Sequence, residues 1–171
     1  MPHYVDGKLV RPADYCQWIY LTTGFDMSYN PTLRFGHHMF DNVFVDPEAW
    51  RVFQRTGTWP EGATLVLEAR GAVGKGSINA EGHFQDREIM ALEVHVKDSA
   101  RFRGGWGFFA FGGTAGEAPM IPEKADCYAC HQSHAAVDTT FVQFHPTLLP
   151  LAEAKGTLSP AYRAERLRAK D

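Results

Sequence analysis

The sequence predicts a mainly β fold of the α+β class, a curved antiparallel sheet with a few helices. Three observations lead there. Apolar residues alternate with others over short stretches such as MFDNVFV and IMALEVHV, the period of a strand with two unlike faces. Sixteen glycines and ten prolines break the 171 residues into short elements with frequent turns. The apolar stretches are rich in phenylalanine and tryptophan, types that favour strands, rather than in alanine and lysine. No repeat or linker divides the chain, so a single domain over 1–171 is expected. At 44% hydrophobic residues it can fill one core.

The elements follow in order. RPADYCQWIYL places Pro12 at the start of a helix with Tyr15, Trp18 and Ile19 on one face. Cys16 is expected beside that helix as a buried free thiol. MFDNVFV is a strand in which Phe40, Asn42 and Phe44 alternate with Asp41, Val43 and Val45. Asp46 then caps a helix that Pro47 opens and Gly57 closes. ATLVLEA is a strand with Leu65 and Leu67 on one face. GAVGKGSINAEGHF reads as a loop or hairpin tip; it lacks the spacing of a phosphate cradle. In the next strand Met90, Leu92, Val94 and Val96 share one face, and Ile89, Ala91, Glu93 and His95 the other. Alternation alone puts Glu93 and His95 on a solvated side. GWGFFAFGG is apolar on both faces, which predicts a central buried strand. VDTTFVQFHPTLLPLAEAKG reads as helical with a break at Pro146, and Ser159-Pro160 opens a last short basic helix at the periphery.

A net charge of −3 and a pI near 6.2 argue against nucleic acid or an anionic membrane as partner. No apolar run approaches the ~20 residues of a membrane span. The chain begins MPHYVDG without a basic or apolar leader, so a secretory signal is expected to have been removed and Met1 to be an added start.

The chemistry lies in ADCYACHQSHAAVD. A structural zinc site needs four ligands, usually a second close pair, and beyond Cys130 the chain offers only His131, His134 and His145. A redox dithiol normally sits in a βαβ unit, and no such pattern surrounds Cys127. The pentapeptide Cys127-Tyr128-Ala129-Cys130-His131 fits a third chemistry: two thiols add to the vinyl groups of one haem c, and the adjacent imidazole of His131 ligates its iron. Covalent loading of that kind normally takes place outside the cytoplasm, so a periplasmic location is expected. Cys16 then has no partner.

A late attachment motif on a β body resembles the cytochrome P-460 family, which includes the cytochromes c′-beta. The resemblance runs through YCQWIYLTTG, NVFVDPEAW, TGTWPEG, VKDSARF and GWGFFAF to CYACH. It implies a β-rich homodimer with one haem c per chain, a proximal histidine, and an iron left open on its other face. P-460 members oxidise hydroxylamine and carry a lysine bonded to the macrocycle; c′-beta members bind gases such as nitric oxide beside apolar pockets. The lysine position corresponds to Leu67, before Glu68, and an aliphatic side chain cannot form that bond. Lys75 is the only nearby substitute, in glycine surroundings that point it to solvent. The family's carboxylate above the iron corresponds to Glu93, so the resemblance implies that Glu93 looks into the haem cavity as a distal base, against the solvated side that alternation gives.

His37, His38, His134, His145 and Met120 are weak candidates for a sixth iron ligand, and His134 and His145 read as surface or hydrogen-bonded histidines. Phe35, Phe40 and Phe44 read as core, with one or two as a distal roof. Three functions remain at this level. The first is a haem c protein binding a small gaseous or nitrogen-oxide ligand; the second is an oxidoreductase acting on hydroxylamine or a related species with Glu93 as base. The third is an electron carrier. Each leaves room for a redox partner protein.

Overall fold

The computed structural model describes residues 1–28 and 36–168; Phe35 lies outside the described residues. The fold is mainly β, with two antiparallel sheets and four α-helices among the described residues. Strands β1 (Tyr4–Val5), β2 (Lys8–Val10) and β8 (Glu117–Ala118) form a small sheet. The large sheet has the order β3 (Ile19–Phe25), β4 (Met39–Val45), β5 (Thr64–Val73), β6 (Phe84–Lys97) and β7 (Trp106–Phe111), each strand beside its sequence neighbour. Register shifts between Tyr20 and Thr22, and again between Ala69 and Ala72, mark bulges that bend the sheet.

Helix α1 (Pro47–Thr56) forms as its sequence dictates. The Asp46 carboxylate accepts from Ala49 N at 2.8 Å, Pro47 supplies the first turn, and Gly57 ends it at φ 74°, where a Cβ would be strained. Asp46 also accepts from Thr64 N at 2.9 Å, so the same cap ties α1 to β5. Phe53 and Ala49 turn inward against Trp59, Leu65 and Trp106. That cluster also takes in Val137, Val142, Leu148 and Ala152 from the C-terminal segment, which holds α2 (Asp126–His134), α3 (Leu149–Lys155) and α4 (Pro160–Arg168). A second cluster of Leu9, Tyr15, Val66, Val94, Phe102 and Phe109 joins the opposite face of the large sheet to the small one.

Four expectations need correction. Residues 15–17 form only a 3-10 turn, and Ile19 already belongs to β3. In that turn Tyr15 points inward while Cys16 is exposed, because neighbouring positions on a tight turn cannot share a face. GWGFFAF forms β7 at the end of the strand order, not its centre. Its free edge is covered by the return of the chain, with Met120 bridged to Phe109 and Ile121 N bonded to Phe108 O at 2.8 Å, so burial there comes from a loop. The segment after His134 is helical only in a 3-10 turn (Val142–Phe144) and in α3; a tight turn at Val137–Thr140 comes first.

The sheet face away from the cavity described below carries a buried carboxylate. Glu68 accepts from the Tyr15 hydroxyl and from Arg70 Nε at 2.5 Å and Nη2 at 2.9 Å. Burial pushes its pKa up, but the hydrogen bonds from Arg70 and Tyr15 outweigh that and hold it below the usual value. A depressed carboxyl pKa adds stability that is present above the unfolded value and lost as pH falls through the folded one. Arg70→Met strands the charge and is expected to cost about 3 kcal/mol, the lower end for a buried pair since the Arg70 side chain keeps 20% exposure. Urea melts at pH 7 should show that loss, and melts near pH 4 a smaller one.

Candidate functional site

Opposite residues in an antiparallel ladder point to the same face of a sheet, so register decides what meets. Thr22 lies opposite Val43, Val43 opposite Leu67, Leu67 opposite Glu93, and Glu93 opposite Ala110. Leu67 and Glu93 are therefore direct cross-strand neighbours. On one side of this row run Gly24, Asp41, Ala69 and Ala91; on the other run Val45, Leu65, His95 and Phe108. This face forms the floor of a cavity of about 470 Å³, within the usual range of ligand sites. Leu67, Glu93, Cys127 and His131 all line it; Cys130, one helical turn beyond Cys127, does not.

Helix α2 brings the motif to the cavity rim. Its Tyr128 hydroxyl accepts from Phe108 N and donates to Ile121 O, both at 3.1 Å, and its ring meets Phe108 edge-on at 4.3 Å. The helix is thus pinned to β7. Spacing of i and i+3 sets Cys127 and Cys130 on neighbouring positions of the helix surface. Both thiols are free and half-buried, and burial pushes that of Cys127 above its ordinary pKa.

His131 is held by its own backbone neighbourhood. Its Nδ1 lies 2.7 Å from the Thr139 carbonyl oxygen. A carbonyl only accepts, so Nδ1 carries the proton and Nε2 keeps its lone pair. Burial lowers the His131 pKa, which keeps the ring neutral. Phe141 at 4.2 Å and Phe108 at 4.8 Å pack against it. A neutral imidazole with one nitrogen anchored and the other free is the state a metal ligand needs. Among the described residues no three His, Cys, Asp or Glu side chains converge to hold an ion by themselves. The donor set therefore suits a group that arrives with its own metal and most of its own coordination, as a haem does.

Glu93 is open to solvent through the cavity mouth yet flanked closely by protein, and burial raises its pKa. Asp41 shares the face; burial raises its pKa too, and the charge of Glu93 adds to the effect. The solvated side that alternation gave Glu93 and His95 is thus the cavity. His95 is boxed in by Phe108 at 3.9 Å, Trp106 at 4.5 Å and His131 at 5.2 Å, and burial holds its pKa well below the usual value.

The other candidates are scattered. His37 and Lys75 are exposed and line no part of this cavity; His38 bonds Asp26 at 2.5 Å, and His134 bonds Glu165 at 2.9 Å. Met120 packs on the opposite side of the sheet. Phe44 packs there as well, and neither it nor Phe40 lines the cavity, because Asp41 and Val43 hold the cavity-facing positions of β4. The rings that line it are instead Phe108, Phe141 and Phe144. His145 departs from its expected place near the surface: it lines the cavity, is 4% exposed, and its Nδ1 is sealed without a partner. Burial lowers its pKa to about 4.

Sequence reasoning named His145 but expected it near the surface, put His95 on the face of Glu93 without a role, and gave Asp41 none. The places of Asp41 and His95 were recoverable by carrying the pleat of Leu67 and Glu93 across the neighbouring strands. Met27 was not, since it reaches the cavity by folding over Gly24, where any Cβ would meet its sulfur at 2.5 Å.

A family model described as Cytochrome P460 matches residues 12–142, well over half of the chain. No curated protein matches it.

Proposed function

Because the chain belongs to the cytochrome P460 family, whose members carry haem, we propose that it is a periplasmic mono-haem c-type cytochrome, folded as one domain, that binds a small ligand such as nitric oxide. In this reading Cys127 and Cys130 hold the haem covalently, and His131 offers its Nε2 lone pair to the iron. The haem, when bound, supplies a redox-active iron with a site for a diatomic or similarly small molecule. Thr139 keeps the His131 proton on Nδ1, and Phe108 and Phe141 pack against the ring.

The observation that carries the reading is Leu67. It sits in the central row of the cavity floor beside Glu93, so the family's cross-linking position faces the cavity with no amine to offer. Of the candidate sixth ligands, His37, His38, His134 and Met120 lie off the cavity lining, and the reading takes His145, which does line it, as not bound to the iron. Nitric oxide association with the reduced protein is then expected to rise linearly with ligand concentration. A rate that saturates, as when a protein ligand must first leave, contradicts the reading.

A second reading, oxidation of hydroxylamine or a related species, is favoured by Glu93 and Asp41. Both carboxyls are biased toward the protonated form in the same cavity, which suits proton exchange with a ligand. No helix among the described residues is long and apolar enough to cross a membrane. A homodimer is supported by β3, the outer strand on one side of the large sheet, with Tyr20 and Phe25 exposed on it. Sedimentation is expected to give twice the 19.1 kDa chain mass at micromolar concentration; a monomer throughout that range would contradict it.

A further inference from the structure

We infer that the turn Val137–Thr140, clamped to the large sheet by Lys97, His95 and Trp59, is a positioning device that fixes the hydrogen bond of His131 and thereby tunes the iron it ligates. The inference rests on the ligation proposed above. The acceptor for His131 is the backbone of Thr139, the second residue of a two-residue turn. The turn is closed by Thr140 N to Val137 O at 2.9 Å, and Asp138 sits in the left-handed region at φ 52°. Turns of that kind are ordinarily left to solvent. This one is held at three consecutive side chains.

Asp138 accepts from Lys97 Nζ at 3.0 Å, in an ion pair whose side chains are 17% and 29% exposed. Lys97 is fixed in turn by donating to Trp59 O at 2.8 Å. The Thr139 hydroxyl meets His95 Nε2 at 3.3 Å. Thr140 Oγ1 accepts from Trp59 Nε1 at 2.7 Å and donates to Val137 O at 2.8 Å. Lys97 and His95 are two apart on β6, on the same face as Glu93, so one strand carries the cavity carboxylate and both clamps. The Thr139 carbonyl cannot drift from His131 without breaking contacts on both sides of it. A short, fixed bond to Nδ1–H makes the imidazole a stronger donor at Nε2, which favours the oxidised metal. Lys97, His95 and Asp138 are positioning residues; Lys97 and Asp138 lie off the cavity lining, and His95, on its floor, acts here through its contact with Thr139.

The test compares holoproteins. Lys97→Met and His95→Phe remove one clamp each while keeping bulk, and Lys97→Arg restores the charge. Leu9→Ala serves as a control, since it destabilises the cluster on the opposite face of the large sheet, away from the turn. The readouts are the iron–histidine stretching band in resonance Raman spectra and the reduction potential. Loss of the clamp is expected to lower the band frequency and favour the reduced iron about tenfold, a rise of ~59 mV for one electron. Lys97→Arg should return both readouts toward wild type, and Leu9→Ala should move neither. Clamp variants that melt earlier yet keep the wild-type band and potential would overturn the inference. A wild-type band that survives in His131→Gly, or no such band at all, would instead remove the ligation on which it rests.

Discussion

Replacing His131 with alanine is expected to abolish the ferrous iron–histidine band and leave little folded holoprotein after periplasmic expression. His131 is the one imidazole on α2 whose ring is anchored at Nδ1 by a backbone carbonyl and packed between Phe108 and Phe141. Removing it deletes both the proposed donor to the iron and a side chain that lines the cavity wall. The cysteines should behave differently. Cys127→Ser with Cys130→Ser leaves His131 in place, so haem can still enter but is no longer retained in acid–ketone extraction. Intact-mass measurement separates the two effects: wild type should exceed its polypeptide mass by one haem, and the double serine variant should not. Wild type at the bare polypeptide mass would contradict covalent attachment.

Glu93→Gln is the second substitution with a large expected effect, and it acts on chemistry rather than on assembly. Glutamine keeps the shape of the side chain beside Leu67 but cannot take up a proton. If the cavity turns over hydroxylamine or peroxide, the change should slow that reaction by about 100- to 10,000-fold, the usual contribution of a general base. Carbon monoxide, which exchanges no proton, should bind as before. The pH profile adds a sign. Burial raises the Glu93 pKa, so the basic form, and with it the rate, should appear at higher pH than for an ordinary glutamate. Asp41→Asn should move that limb to lower pH, since a neighbouring negative charge is removed. Wild type that turns over neither substrate above free haem, with Glu93→Gln unchanged, would leave ligand binding as the sole function of the cavity; equal turnover above that level would remove Glu93 as the base.

Much of this site was legible in the sequence because it rests on local rules. Cys127, Cys130 and His131 are fixed by spacing on one helix, and Asp46, Pro47 and Gly57 announce the ends of another. Period-two alternation located β4, β5 and β6, and it put Glu93 and His95 on one face. It could not say which face was wet, because both faces of the large sheet are covered, one by the small sheet and the other by the C-terminal segment. That same ambiguity left Phe40 and Phe44, read as core, open as roof residues, and neither lines the cavity. Edge and centre were also indistinguishable for GWGFFAF, since a loop some ten residues later supplies its burial. Cys16 and His145 show the remaining limit: exposure of a single side chain depends on a 3-10 turn or a distant packing partner that no local pattern encodes.

The absorption spectrum of the reduced protein, taken before and after adding nitric oxide, decides whether the haem c is unmodified and its iron open to the cavity that Leu67 and Glu93 line. The expected result is the bands of an ordinary high-spin haem c, with none shifted to the red, and a complete spectral change at stoichiometric nitric oxide. A red-shifted band in the reduced protein, with a haem–lysine peptide in its tryptic digest, or a low-spin spectrum that nitric oxide leaves unchanged, would contradict it.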